Sequence, residues 1–246
     1  MIRDHYHYVT YAGKSLNDFG VHISGEGTFS TPEVKYETVE VPGRNGDLLI
    51  DTGVLKNRTL KYPAFILADN EEEFRHMFTH FVNFIISKKG VVRIEDTYHP
   101  EVYMMGSYKS ALDPEVILLQ AANFDLEFDV KPQRFLKSGE YPVEYFGEGI
   151  LFNETDWDAN PLIHVFGNGS VTIGDYNIAI ADCPHEDFFF DCETMNAFTS
   201  NGDNCNSYVT LTVPDDKNNI VLVPGDNSIS FTGITRLEIY PRWWIV

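Results

Sequence analysis

No lysine or arginine occurs between Lys137 and Lys217. Residues 1–137 carry 15 Lys/Arg against 20 Asp/Glu, a net of −5; residues 138–246 carry 3 against 17, a net of −14. A surface so short of positive charge repels phosphate backbones and anionic headgroups, which argues against nucleic acid and membrane lipid as partners. Cysteine is scarce too. Cys183, Cys192 and Cys205 are an odd number at loose spacing, so no disulfide framework is expected. No run approaches the ~20 apolar residues of a membrane span, and the opening MIRDHYHYVTY lacks the apolar stretch of a secretory signal. The expectation is folding in a reducing cytoplasm, with any action outside the cell depending on release other than secretion.

Catalytic signatures are missing as well. There is no Gly-x-Ser-x-Gly elbow, no phosphate-binding loop and no Gly-rich fingerprint between a strand and a helix. The carboxylate pairs Glu95/Asp96 and Asp215/Asp216 are adjacent in sequence, so in a strand they point to opposite faces and cannot share acid–base work. Cys183, His185, Cys192 and Cys205 lack the tight C-x-x-C knuckle of a structural zinc site and read as buried free thiols. His5 and His7 alternate with Tyr6 and Tyr8 as in a terminal strand. The loops 201–204 and 215–219 are rich in Asn and Asp but lack the spacing of a calcium loop, and read as turns. No enzyme activity, metal or cofactor is expected.

What is present is a mainly β chain with one helix. Asp69 or Asn70 is placed to cap a helix, with Glu72 or Glu73 three residues on and Glu71–Glu73 at the positive end of its dipole. Phe74, Met77, Phe78, Phe81, Val82 and Ile85 follow at helical spacing as a core-facing stripe, with Lys88 and Lys89 at the far end and Gly90 as the stop. This predicts a helix over 70–88. Elsewhere short strands alternate with turns. Pro42-Gly43 and Asn45-Gly46 mark a hairpin in VPGRNGDLLIDTG. Val92 to Glu95 reads as a strand, as does Ala122 to Val130, where Phe124, Leu126, Phe128 and Val130 alternate with acids.

The style changes near residue 138, where basic residues stop and SGEYPVEYFGEG is rich in Gly, Pro and acid. This places a boundary between domains 1–137 and 138–246. Beyond it strands are expected at 161–166, 171–182, 208–213, 220–223, 228–231 and 237–240, with Gly-Asn-Gly at 167–169 and Pro-Gly-Asp-Asn at 224–227 separating some of them. Many short strands without a helix argue for an antiparallel β-sandwich. Trp157, Trp243 and Trp244 are candidates for sugar or partner contact. Adjacent strand positions send Trp243 and Trp244 opposite ways, so at least one of them enters a core or an interface.

Several stretches together resemble the distal tail proteins of siphophages and related prophages of Gram-positive bacteria. They are NDFGVHISG (17–25), VPGRNGDLLIDTG (41–53), KKGVVRIEDTYHPEVYMMG (88–106), KPQRFLKSGE (131–140), NPLIHVFGNGSVTIG (160–174), DCETMNAF (191–198), VPGDNSISFTG (223–233) and PRWWIV (241–246). Each alone is weak; their order across nearly the whole chain is fairly specific. The resemblance implies an α+β N-terminal belt domain and a C-terminal galectin-like antiparallel β-sandwich. It further implies a homohexameric ring at the tail tip, between the major tail tube protein and the tail-associated hub or lysin protein. On the same resemblance a receptor-binding protein is a further partner. On that reading Pro42, Gly43, Arg44, Asn45, Asp47 and Arg134 are interface residues. The alternative is a carbohydrate-binding module that recognises host cell-wall polysaccharide through the C-terminal sandwich. A third class, a glycoside hydrolase or esterase accessory domain, would need a carboxylate pair in a cleft.

Overall fold

The computed structural model describes residues 7–25, 30–117, 120–214 and 219–246. The chain divides between Arg134 and Phe135 into two compact units. The described residues are mainly β, with a single α-helix and curled antiparallel sheets.

In chain order the first unit holds β1 (Val9–Tyr11), β2 (Lys14–Ser15), β3 (Val21–Ile23), β4 (Val34–Val39), β5 (Leu48–Leu55), β6 (Arg58–Leu67), α1 (Glu71–Ser87), β7 (Val92–Asp96), β8 (Val102–Tyr108), β9 (Glu115–Ile117) and β10 (Ala121–Leu136), whose last two residues enter the second unit. The main sheet runs β2-β1-β7-β8-β10-β6-β3. Strands β6 and β10 pair over ten residues, Ala121↔Leu67 to Val130↔Arg58. Both alternate strictly: Leu60, Tyr62, Ala64 and Ile66 face inward with Ala122, Phe124, Leu126, Phe128 and Val130. Period-2 patterning on two paired strands gives one apolar sheet face, and that face needs a lid.

The lid is α1. Its buried Phe74, Phe81, Phe84 and Ile85 pack on the sheet, with Phe81 and Phe78 meeting Phe124 at ring-centroid distances of 5.8 and 6.1 Å. Asn70 is the N-cap. Its Oδ1 accepts from the Glu73 N–H at 2.9 Å, while Glu73 Oε2 accepts from the Asp69 N–H at 2.8 Å. The stop differs from expectation. The chain leaves the helix at Lys88 in an extended conformation, with the Ser87 hydroxyl donating to the Phe84 carbonyl. Gly90 makes its left-handed turn (φ +78°) one residue beyond the position of a capping glycine.

The second unit continues with β11 (Val143–Tyr145), β12 (Gly149–Asn153), β13 (Leu162–Ile173), β14 (Tyr176–Ile180), β15 (Asp187–Asp191), β16 (Asn196–Phe198), β17 (Val209–Thr212), β18 (Gly225–Tyr240) and β19 (Trp244–Ile245). Eight of these, all but β19, form one antiparallel sheet on the path β11-β18-β13-β14-β17, with β12 also on β18 and β15–β16 on β13. Its core comprises Ile163, Val165, Val171, Ile178, Phe188, Phe190, Leu237 and Ile239 among others. Cys183, Cys192 and Cys205 lie in that core as free thiols. Burial, then the neighbouring Asp191, pushes the Cys192 thiol well above its ordinary range.

Three expectations need correcting here. Gly-Asn-Gly at 167–169 does not end a strand: β13 runs through it with two register shifts against β18. Segments 228–231 and 237–240 are likewise parts of one 16-residue strand. The boundary stretch 138–149, rich in Gly, Pro and acid and not expected to hold a strand, contains β11 and leads into β12.

Candidate assembly interface

Strands β4 and β5 belong to neither large sheet. Among the described residues they pair only with each other, from Val39↔Leu48 to Val34↔Leu55, with a bulge between Val34 and Tyr36. At the bulge the Thr52 hydroxyl donates to the Lys35 carbonyl at 2.6 Å, and Asp51 Oδ1 accepts from the Gly53 N–H at 2.8 Å. Directly opposite residues share a face. Val39, Leu48 and Ile50 therefore lie on one side, and Tyr36 and Leu49 on the other. All are exposed; Leu49 is 63% and Tyr36 51% accessible. A two-stranded ribbon with apolar side chains on both faces is marginal alone in water and needs another surface to cover it.

The tip carries Pro42, Gly43, Arg44, Asn45 and Asp47, every one exposed. Gly43 and Gly46 have φ near +80°, and the Arg44 N–H closes the turn onto the Val41 carbonyl at 3.2 Å. Arg134 is not with them. It sits at the ribbon's root, where its Nη2 donates to the Ser30 carbonyl at 3.1 Å. The buried Arg58 donates to the same carbonyl at 2.5 Å. Burial and then the like charge of Arg134 bring the Arg58 pKa down to about 10. Next to this anchor Lys56 pairs with Glu33, both by backbone and by an ion pair at 3.0 Å. The root is thus pinned while the apolar ribbon beyond it stays bare. Sequence reasoning read a hairpin over 41–53 from its turn dipeptides, and missed β4 and the exposure of the apolar side chains.

The aromatic candidates sit otherwise. Trp157 and Trp244 stack on each other at 4.8 Å, and the Trp244 indole N–H donates to the Asp158 carbonyl at 2.9 Å. Trp243 and Trp244 both pack against the second core. One face of both Trp157 and Trp244 is thereby taken.

The polar clusters are used internally. Asp96 is buried, accepting from the Tyr62 hydroxyl at 2.5 Å and from the His99 N–H at 2.8 Å, while Glu95 pairs with Arg93. His164 lies between Asp187 (2.6 Å) and Glu238 (3.0 Å), stacked on Phe189 and beside Phe166. Both nitrogens and the rings beside it occupy that imidazole, which leaves no open position toward a substrate. His7 contacts Thr97 Oγ1 and stacks on Tyr98. In the 201–204 turn the Gly202 and Asp203 N–H groups donate to Thr199, and Asn204 caps Asn206. His5, Tyr6 and positions 215–218 lie outside the described residues. No group of three or more metal-ligating side chains forms among the described residues, and no helix there is long and apolar enough to cross a membrane.

Residues 14–130 match the family model of the phage tail protein RIFT-related domain. No curated protein matches the chain in sequence. Among solved structures the chain is similar to the Dit protein of phage SPP1, described as a paradigm of the hub adsorption apparatus in phages infecting Gram-positive hosts. That match has a TM-score of 0.70 and 16% identity, over 98% of this chain and 99% of that one. It is also similar to a chain of the phage P2 baseplate in its activated conformation with calcium, at a TM-score of 0.56 and 8% identity over 95% and 97%. At these identities the likeness is one of fold.

Proposed function

Because residues 14–130 match the family model of the phage tail protein RIFT-related domain, we propose that this chain is a structural subunit of the distal end of a siphophage tail, a distal tail protein. The first unit is the belt that closes six copies into a ring, and the second is a galectin-like sandwich. The ring carries the tail tube protein on one side and the tail-associated hub or lysin protein on the other, with a receptor-binding protein as a further partner. It is made in the host cytoplasm and acts in the virion. No step of this role is chemical.

The observation that carries the reading is the bare ribbon β4–β5. A ring needs a heterologous joint, one surface of a subunit meeting a different surface of the next. A pinned ribbon with apolar faces and unpaired outer backbone edges supplies one side of such a joint. Arg44, Asn45 and Asp47 at its tip fix its polar contacts, and Arg134 holds its root. A joint of roughly 1,600 Å² suffices without covalent links.

Negative-stain imaging and mass photometry of the purified chain test this. The expected result is six-membered rings. Replacing residues 34–55 by a short Gly/Ser turn is expected to leave a folded single subunit, judged by circular dichroism. Single subunits of the unaltered chain at every concentration, with or without tail tube protein, would overturn the reading.

A further inference from the structure

A second apolar surface is bare, and it lies in the acidic unit. Along one edge of the eight-stranded sheet, β11 and β12 pair with β18 on one side and with nothing on the other among the described residues. Tyr141 (72% accessible), Phe146 (74%), Ile150 (65%) and Phe152 (57%) stand exposed along this edge. Ile150 and Phe152 on β12, with Tyr141 and Phe146 flanking β11, put four exposed apolar side chains within a dozen residues in a strip along this open edge. The charges between them are all negative. Glu144, Glu148 and Glu154 are exposed and have no ion-pair partner among the described residues.

The complementary surface exists in this same sequence. At the C-terminal end of α1, Ile86 (64%) and Val91 (52%) are exposed beside Lys88 and Lys89. Lys14 joins them: it and Lys88 lie over the Phe84 ring, at 5.8 and 5.1 Å from its centroid. None of these three lysines has a carboxylate partner among the described residues. This patch is apolar and basic where the strip is apolar and acidic.

We propose that the β11–β12 edge of one copy docks on the Lys14–Lys88–Lys89 patch of a second copy. This deepens the ring reading and rests on it. Strip and patch are different surfaces, so their contact is heterologous and can brace the ring that the first units close. Opposite charge on the two sides fixes which surfaces meet, in a molecule whose net charge of −19 otherwise drives copies apart.

The test mixes ¹⁵N-labelled and unlabelled full-length chains, lets them assemble, and couples contacting carboxylates to amines with a zero-length carbodiimide. Peptides of mixed isotope joining Glu144 or Glu148 to Lys88 or Lys89 are expected. In parallel, E144K/E148K and K88E/K89E are each expected to raise the concentration for half-assembly about tenfold. Combining the four changes is expected to restore it to within about threefold. All four positions are exposed, so the fold is retained, and circular dichroism checks this. Rings that yield no mixed-isotope pairs, or reversals without effect or without rescue, overturn this contact and leave the ring standing. Single subunits throughout overturn both.

Discussion

Tyr62 faces the core of the first unit and donates to a buried carboxylate, Asp96, at 2.5 Å. Burial, then the charge of Asp96, pushes the Tyr62 hydroxyl well above its ordinary range. Tyr62→Phe keeps the ring and removes the donor, leaving Asp96 Oδ2 to His99 alone. An under-satisfied buried carboxylate costs about 1–3 kcal/mol, seen as a lower urea midpoint at pH 7. The pH dependence has a definite sign. The folded chain holds this proton more tightly than the unfolded chain, so the contribution is complete below about pH 10 and is lost as pH rises further. The gap between wild type and Tyr62→Phe is therefore expected to narrow by up to about 1.4 kcal/mol per pH unit above that point. Arg58, held down to about 10, titrates in the same window with the opposite sign, which is why the comparison with the variant is needed. A gap that stays constant from pH 8 to 11 refutes this account of Tyr62.

At the scale of elements, legibility followed how far local chemistry decides the outcome. The helix was readable because its cap, its acidic first turn and its Phe stripe all agree, and it spans Glu71–Ser87 against an expected 70–88. Strand β10 was readable from strict alternation. Strand β6 was hidden: Pro63 stands in its middle, where a central strand rarely tolerates proline, and the buried Arg58 opens it. The long pair β13–β18 was misread as four shorter pieces because glycine was taken as punctuation. Its glycines serve close approach instead. A Cβ on Gly169 would collide with the Thr232 carbonyl across the pair, and Gly233 opposite has φ +76°. Gly169→Ala is expected to destabilise the second unit by about 3 kcal/mol or more, since the clash is with backbone and cannot relax by a side-chain rotation. Gly147→Ala is the control, with open space around it and no left-handed backbone to strain. A thermal midpoint for Gly169→Ala equal to the control's would show that the bulge is slack. The ribbon was legible as a hairpin and the β11–β12 edge only as a boundary stretch, because what matters about both is exposure, and exposure depends on what does not pack there.

For the whole molecule the decisive fact is that the chain builds two cores with no shared residue, one under α1 and one within the eight-stranded sheet. The covalent join is anchored on the second side, where the Leu136 N–H donates to the Trp243 carbonyl at 2.8 Å and the Arg242 N–H to the Gly139 carbonyl at 3.0 Å. Gly139 leaves no space for a side chain against that returning segment. A fragment of residues 135–246 therefore retains its whole core and its closing contacts. Calorimetry of that fragment is expected to show one cooperative transition, with an unfolding enthalpy of roughly 80 kcal/mol near 60 °C by size scaling. The fragment carries the acidic strip without the basic patch, so like charge dominates between copies. It is expected to stay monomeric at concentrations where the full chain forms rings, which sedimentation reads directly. A fragment with no transition would mean that its core depends on the first unit. One that assembles by itself would mean that the strip pairs with its own kind, so that the net charge of the second unit does not govern its associations.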